Sequence, residues 1–368
     1  MNIELDATDG SARAGVVRTS RGLLRTPVFM PVGTRGAVRG LSSADLEDLD
    51  VQVVLANTYH LMLRPGPEIV AKLGGLHGFM DWSGHVLTDS GGFQIFSLEP
   101  NIDEDGAVFR STYDGSTHRL TPESAVAHQG LLGADIQMVL DVCARLPAPR
   151  TEIVDAMERT ARWAERGRAA FLDPSVATPA GQAQFGIVQG GVDPDLRAQS
   201  AARTVDVGFD GYAIGGLSVG EPRAEMVPAL EAATAQLPVD QPRYLMGVGD
   251  PAGLVEGVAN GVDMFDCVLP SRLARHGTLL TSTGRLNLRN ARWADDAGPI
   301  DEKCSCAVCG RWSKGYLRHL LAVHELTAAR LLTLHNLSWL LEFTRGMRAA
   351  IVAGTFQDFR TEVLTRWG

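Results

Sequence analysis

The sequence predicts an α/β fold, a (β/α)8 TIM barrel, and three observations carry that prediction. Eight short apolar runs recur along the chain, each stopping abruptly at a polar residue or a glycine. Helical patterns separate most of them, as parallel βα units require. The residues that end the runs include Asn57, Asp89, Asp141, Gln189, Gly215/Gly216 and Asp266. In such barrels the C-terminal rim of the strands carries the active site.

In order, the runs are 28–31 before Gly33, 51–56 before Asn57, 86–88 before Asp89, 136–140 before Asp141, 185–188 before Gln189, 212–214 before Gly215, 244–246 before Gly247, and 262–265 before Asp266. Segments 151–171 and 223–236 read as helices, and Thr121-Pro122-Glu123-Ser124 reads as an N-cap with proline at the first helical position. No G-x-G-x-x-G opens a helix after the first run, which disfavours a doubly wound open sheet. Two segments fall outside the barrel pattern. Segment 3–24 alternates and contains Asp9-Gly10, a hairpin signal, so it predicts a small sheet capping the bottom of the barrel. Segment 278–288, interrupted at Gly284, reads as a second hairpin leading into a helix-rich tail. The expected division is a β cap over 1–24, the barrel over 25–274, a metal-binding subdomain over 275–341, and a C-terminal helix over 342–368 packing back on the barrel.

Between the second hairpin and the tail lie Cys304, Cys306 and Cys309, followed by His335, a C-x-C-x2-C-x25-H pattern. A single cysteine is more often a small core residue than a ligand, but three in six residues in a chain with only five point to metal. Four soft or borderline ligands suit tetrahedral zinc, and a full set leaves no position for water, so the expected Zn2+ is structural, one per subunit.

The chain of 368 residues is 45% hydrophobic and 21% charged, the profile of a globular protein. It contains no apolar stretch of membrane-spanning length and its start has no signal-peptide pattern; with few cysteines left for disulfides, a cytoplasmic location is expected. Net charge is −9, yet between Ser271 and Arg318 nine Lys/Arg face four Asp/Glu. A basic patch on an acidic body is a candidate phosphate footprint, led by Arg272, Arg275, Arg285, Arg289 and Arg292.

The rim aspartates invite glycosyl chemistry, in which one carboxylate attacks an anomeric carbon while another handles a proton. Asp89 precedes Ser90-Gly91-Gly92-Phe93-Gln94, where glycines let backbone N–H groups approach a ligand. Asp266 stands directly before the basic segment, a sensible place for a nucleophile acting on a polyanion. Asp141, Gln189 and Gly216 could read the edge of a flat polar base. A strand-end aspartate can also be a helix cap or half of a buried ion pair.

At these residues the chain resembles the tRNA-guanine transglycosylase family, close to its bacterial members. The matching motifs are Asn57-Thr-Tyr-His60-Leu-Met-Leu-Arg64-Pro-Gly66, Leu87-Thr-Asp89-Ser-Gly-Gly-Phe93-Gln94, Phe185-Gly-Ile-Val-Gln189-Gly190, Gly211-Tyr-Ala-Ile-Gly215-Gly216-Leu217, Tyr244-Leu-Met246-Gly-Val-Gly249 and Gly261-Val-Asp263-Met-Phe-Asp266-Cys267-Val-Leu-Pro270, with Arg289-Asn-Ala-Arg292 and the Cys3His set. The resemblance implies exchange of guanine at the wobble position of tRNAs with a G-U-N anticodon (Asp, Asn, His, Tyr) for 7-aminomethyl-7-deazaguanine, in queuosine biosynthesis. It implies Asp266 as nucleophile and Asp89 as general acid/base. Asp141, Gln189 and the Gly216 backbone would hold the base beside Ser90, with Phe93 and Met246 sandwiching its faces. Val38 and Cys143 match the pattern for the aminomethyl base rather than queuine. The partners implied are a tRNA anticodon loop and a second subunit in a homodimer. Where the family usually has Glu after the base-reading aspartate, reaching the Gly-Gly-Leu backbone, this chain has Val142. After Pro270, Ser271-Arg-Leu-Ala-Arg275-His276 replaces a commoner Thr-Arg-Ser-Gly-Arg-Asn, with both arginines kept.

Competing readings fit less well. A zinc hydrolase needs an open coordination site. An ordinary barrel glycosidase leaves the cationic metal segment unexplained. Of the alternative, a non-catalytic or altered-specificity tRNA-binding member of the same barrel family, a catalytically silent subunit would lack a rim aspartate, whereas Asp89 and Asp266 are both present. An archaeal-type enzyme would carry further C-terminal RNA-binding domains.

Overall fold

A computed structural model describes residues 1–218 and 220–368. In chain order its strands are β1 (Asn2–Asp9), β2 (Ala12–Thr19), β3 (Gly22–Thr26), β4 (Val28–Pro31), β5 (Val53–Ala56), β6 (His85–Thr88), β7 (Asn101–Ile102), β8 (Ala107–Arg110), β9 (Thr117–Leu120), β10 (Ile136–Met138), β11 (Ala183–Val188), β12 (Gly211–Ile214), β13 (Arg243–Leu245), β14 (Met264–Cys267), β15 (Thr278–Thr281) and β16 (Gly284–Asn287). Each of the eight apolar runs overlaps a strand of one parallel sheet, ordered β4-β14-β13-β12-β11-β10-β6-β5. A parallel bridge from Val32 to Leu55 joins the last strand to the first and closes the cylinder. The strands are apolar throughout because both faces are covered, by barrel interior on one side and helices on the other. Phe29, Met30, Phe185, Tyr212, Tyr244 and Phe265 are fully buried.

Helices follow the strands with ordinary capping chemistry. Thr121 caps the helix Pro122–Leu132, its hydroxyl accepting from the Ser124 N–H in a capping box. Asp193 caps Pro194–Val207 through its carboxylate. Helices Arg150–Leu172 and Arg223–Thr234 stand where the sequence pattern expects them.

The N-terminal segment is a three-stranded antiparallel sheet, β1-β2-β3. It covers the end where the barrel strands begin. Arg13 forms a two-pronged buried pair with Asp263, just before β14, at 2.8 and 2.6 Å, and the Ile3 N–H donates to the Asp240 carbonyl at 2.9 Å. β15 and β16 form the second hairpin, antiparallel as expected.

Three features depart from the sequence reading. A small antiparallel sheet, β7-β8-β9, stands between β6 and β10. Its strands span only two to four residues without a continuous apolar run, so nothing in the pattern announces it. Phe109 and Leu120 from this sheet pack with Tyr59, Ile95 and Trp163 behind the Asp89 loop. Second, the helix Leu326–Ala353 runs unbroken through position 342, where a division was expected. Its first half carries His335 and its second half packs on the barrel, so one rigid rod links the two. Third, Asp266 lies within β14, paired with Met30, rather than just beyond a strand.

Among the described residues no helix is long and apolar enough to cross a membrane.

Candidate active site and metal centre

The rim of the barrel surrounds a cavity of about 530 Å³. It is lined by Asp89, Ser90, Phe93, Asp141, Gln189, Gly216, Met246 and Asp266, so the structure brings together the residues that the resemblance assigns to catalysis and to holding the base, whereas Val38 is buried and does not line it. Cys143 also lines it, and Arg272 and Arg285 reach its mouth; Arg275, Arg289 and Arg292 do not line it. Arg289 instead donates to the His276 carbonyl at 2.9 Å, and Arg292 stacks 4.3 Å over Trp293.

Asp89 follows β6 and is held from two sides. Its Oδ2 accepts from Asn57 Nδ2 at 2.5 Å, and its Oδ1 accepts from the Thr58 N–H at 2.7 Å and the Gly91 N–H at 3.2 Å. These donors favour the anion, but burial outweighs them, and the negative charge of Asp266 adds to it; the carboxyl is pushed up to about 6. A group poised there can give and take a proton near neutrality.

Asp266 projects from β14 into the same cavity. Its Oδ1 accepts from the Tyr244 hydroxyl at 2.5 Å and the Gly247 N–H at 2.8 Å. Both bonds fall on one oxygen, so Oδ2 is the atom without a partner among the described residues. Burial raises this carboxyl, and the two donors pull it back. Tyr244 is held well above the usual phenol range, chiefly by burial and then by the Asp266 charge, so it stays a donor. Tyr244 pairs with Met264 across β13 and β14. Asp266, two residues further along, therefore lies on the same face within reach of the hydroxyl.

Asp141 and Gln189 form one wall. Gln189 Nε2 donates to Asp141 Oδ2 at 2.6 Å. Burial pushes Asp141 up to about 6, with Asp89 contributing. Gly216 has φ +65°, and a Cβ there would lie 2.4 Å from Gln189 Oε1. Only glycine lets this loop lie against the glutamine. Phe93 is 62% exposed and Met246 half-buried, which suits flat, solvent-facing contacts.

Val142 does not line the cavity. It packs in the apolar cluster with Leu140 and Trp163, and its N–H donates to Thr160 Oγ1 at 2.9 Å. Just after the Gly-Gly-Leu motif, Glu221 accepts from the Ser218 N–H. Sequence reasoning assigns no roles to Glu221, Asn57, Thr58 and Tyr244. Asn57 ends a strand as the aspartates do, and a hydroxyl on the apolar β13 is the available signal for Tyr244.

The second centre lies in the C-terminal arm. Cys304, Cys306, Cys309 and His335 converge, with ligand atoms all within 4.8 Å of one another. His335 Nδ1 stands 3.8, 3.5 and 3.3 Å from the three sulfurs. Tetrahedral bonds of ~2.3 Å to sulfur and ~2.0 Å to nitrogen would set these separations near ~3.5 Å, so the geometry fits a metal ion. His335 Nε2 is 2.9 Å from the Leu280 carbonyl; donating its proton there leaves Nδ1 free to ligate. Next to it, Asn336 accepts from the Leu280 N–H at 3.0 Å and donates to the Pro270 and Thr278 carbonyls at 3.0 and 3.1 Å. The ligand helix is thereby stitched to the segment that follows Asp266.

Residues 8–368 match the family model described as Queuine tRNA-ribosyltransferase. The chain is 52% identical to a protein of that name from Nitratidesulfovibrio vulgaris over 359 residues, covering 97% of this chain and 95% of the relative. It is 52% identical to one from Koribacter versatilis over 362 residues (96% and 94%), and 51% identical to one from Sphingopyxis alaskensis over 367 residues (99% and 97%).

Proposed function

This chain belongs to the queuine tRNA-ribosyltransferase family, and we propose that it exchanges guanine at the wobble position of G-U-N tRNAs for 7-aminomethyl-7-deazaguanine. It is a pentosyltransferase in this reading, and one observation carries it: Asp89 and Asp266 face a single cavity beside a wall that can read a purine edge.

The target nucleotide is flipped out of the anticodon loop into the cavity. Its base lies between Phe93 and Met246. Asp141 accepts from base N–H groups while Gln189 and the Gly216 backbone take its remaining edge, with Ser90 adjacent. Asp266 Oδ2 attacks the ribose anomeric carbon. Tyr244 and the Gly247 N–H, both on Oδ1, orient the carboxylate so that its free oxygen points at substrate. The glycosidic bond breaks, its electron pair leaves with guanine, and Asp89 supplies the proton. The ribose is now esterified to Asp266, which keeps the tRNA attached while bases exchange. The incoming deazaguanine gives its N9 proton to the Asp89 carboxylate, its nitrogen attacks the anomeric carbon, and the Asp266 carboxylate departs. Two displacements retain configuration.

Arg272 and Arg285 grip loop phosphates at the cavity mouth, with Arg275, Arg289 and Arg292 extending that surface. Zinc held by Cys304, Cys306, Cys309 and His335 fixes the arm and takes no part in the chemistry. A cytoplasmic homodimer is the expected working unit.

The deciding experiment is exchange of radiolabelled guanine into unmodified tRNA, with and without 7-aminomethyl-7-deazaguanine. Label should enter the RNA and be chased out by the deazaguanine. Incorporation that the deazaguanine cannot reverse would change the assigned substrate, and no incorporation would overturn the reading.

A further inference from the structure

We infer that Arg197, a residue outside the chemistry above, is a positioning residue for base recognition, whose buried guanidinium fixes and polarises the two loops presenting Gln189 and Gly216 to the base. The inference rests on the base-exchange reading for the identity of the ligand.

Arg197 stands near the start of the helix Pro194–Val207, its N–H bonded to the carbonyl of the capping Asp193 at 3.0 Å. That is the positive end of the helix, where a cation is disfavoured. The side chain is also 0% exposed. Burial pulls the guanidinium down to about 10, so it stays charged at neutral pH. A residue that is opposed both by its helix and by desolvation needs strong compensation.

The compensation comes from main-chain carbonyls of the recognition loops. Nε donates to the Gly191 carbonyl at 2.7 Å and Nη1 to the Val188 carbonyl at 3.0 Å. Nη1 also donates to the Gly215 carbonyl at 2.7 Å, and Nη2 to the Gly216 carbonyl at 3.1 Å. Two acceptors flank Gln189 in the loop after β11; two belong to the loop after β12. One planar fork therefore locks the relative placement of the groups that bind the base, a geometry an ammonium cannot copy. Ser200, on the same helix, accepts the Gln189 N–H at 3.0 Å.

The charge has a second effect. The Gly215 carbonyl and the Gly216 N–H belong to one peptide group, and the Gly216 carbonyl and the Leu217 N–H to the next. A cation on each oxygen draws electron density toward it and sharpens the N–H on the other side as a donor. The Gly216 backbone is set against the base in the proposed reaction, and its N–H is the group there that can donate to the base carbonyl, an acceptor. Arg197 thus acts on base affinity through the peptide, without touching the ligand.

The test is calorimetric titration of free guanine, without RNA, into wild type, Arg197→Lys and Arg197→Met, with tRNA gel shifts and thermal melting alongside. Losing charge-assisted bonds of this kind should weaken guanine binding by roughly tenfold to a hundredfold in Arg197→Met. Arg197→Lys should fall between, tRNA affinity should stay at the wild-type value, and in exchange assays KM for the base should rise more than kcat falls. Unchanged guanine affinity in folded Arg197→Met overturns the inference, as does an equal loss of guanine and tRNA affinity. Should Arg197→Met not fold, Arg197→Lys decides: weakened guanine with intact tRNA binding supports the inference, and wild-type guanine affinity overturns it. A wild type that binds guanine without exchanging it would defeat the base-exchange reading and leave this one to the variants. A wild type that does not bind guanine defeats both.

Discussion

The barrel cleft and the cysteine-bearing arm solve the problem of placing charged groups in opposite ways. In the cleft, carboxylates are buried or half-buried and each is held by hydrogen-bond donors: Asn57 and Thr58 for Asp89, Tyr244 and Gly247 for Asp266, Gln189 for Asp141. In the arm and the helix leading into it, Arg272, Arg285, Arg289 and Arg292 are exposed. The cleft stands on the large barrel core, whereas the arm has its own small apolar cluster around Leu279, Leu288, Val308 and Leu317. Bond-making chemistry needs reacting atoms held to fractions of an ångström. Phosphate attraction tolerates a mobile cation over several ångströms. The ligand cluster is where the arm reaches cleft-like precision, and it determines where the arginines start from rather than where each one ends.

The comparison breaks most severely at Asp266. Asp266→Asn keeps the Tyr244 contact but removes the attacking oxygen, so base exchange should fall to background while tRNA still binds. Denaturing gels of wild type with tRNA should show a protein–RNA ester that the variant lacks. Turnover by wild type with no such species under quench would displace Asp266 from the nucleophile role.

Much of the barrel and of its rim is legible in the order of residues. Eight apolar runs ending in polar residues locate both, because a strand buried on both faces leaves a continuous apolar signature and its end is where polarity returns. The Cys3His spacing locates the second centre for the same kind of reason: metal ligation constrains residue type more than packing does. The groups that support the site are harder to see. Tyr244 reaches Asp266 across adjacent strands, a pairing that depends on barrel register. Arg197 looks like an ordinary surface arginine on an amphipathic helix until the helix is docked. The β7-β8-β9 sheet has strands too short and too mixed for periodicity to register. The Glu221–Ser218 contact beside the Gly-Gly-Leu motif likewise appears only in the folded loop.

The largest effect on binding should come from the arm. Its small core makes it dependent on the ligand cluster, as metal-stabilised modules generally are. Cys306→Ser, or chelation of the metal, should loosen β15, β16 and the cysteine loop and weaken tRNA binding by at least ~10-fold, the scale of losing several phosphate contacts. Guanine binding to the cleft should survive, since most of the barrel core is built by residues outside the arm. Metal analysis with parallel RNA and guanine titrations checks this. Loss of both ligands together would show the two regions to be one cooperative unit, joined through the helix Leu326–Ala353.

A milder effect on binding follows from pH. In its proposed role Asp141 accepts base N–H groups best when ionised, so guanine affinity should rise as pH increases through about 6. Asp89→Asn removes the negative neighbour that helps hold Asp141 up, and should move that midpoint to lower pH. Folding runs the other way. With its folded pKa raised from 3.8 to about 6, the Asp141 contribution to stability is full below 3.8 and is lost as pH rises through about 6. Asp89 obeys the same sign, so Asp89→Asn should melt at or above the wild-type temperature at pH 7 while losing roughly 10²–10⁴-fold in exchange rate. Guanine titrations and melting curves at several pH values test both halves.

The smallest effect separates the regions most cleanly. Arg285 is exposed on β16 at the cavity mouth, and its proposed duty is a single phosphate. Arg285→Ala should weaken tRNA binding a few-fold and lower the salt slope by about 0.7, the value for one phosphate on single-stranded RNA. Guanine affinity should not move. Pairing this change with Arg292→Ala should give additive losses, because two solvated cations act independently. Pairing Asp266→Asn with Tyr244→Phe should not, because the phenol acts only through the carboxylate. A double-mutant cycle that finds strong coupling between Arg285 and Arg292 would mean the arm positions its cations as rigidly as the barrel positions its carboxylates, and the contrast between buried precision and exposed tolerance would fail at its weaker end.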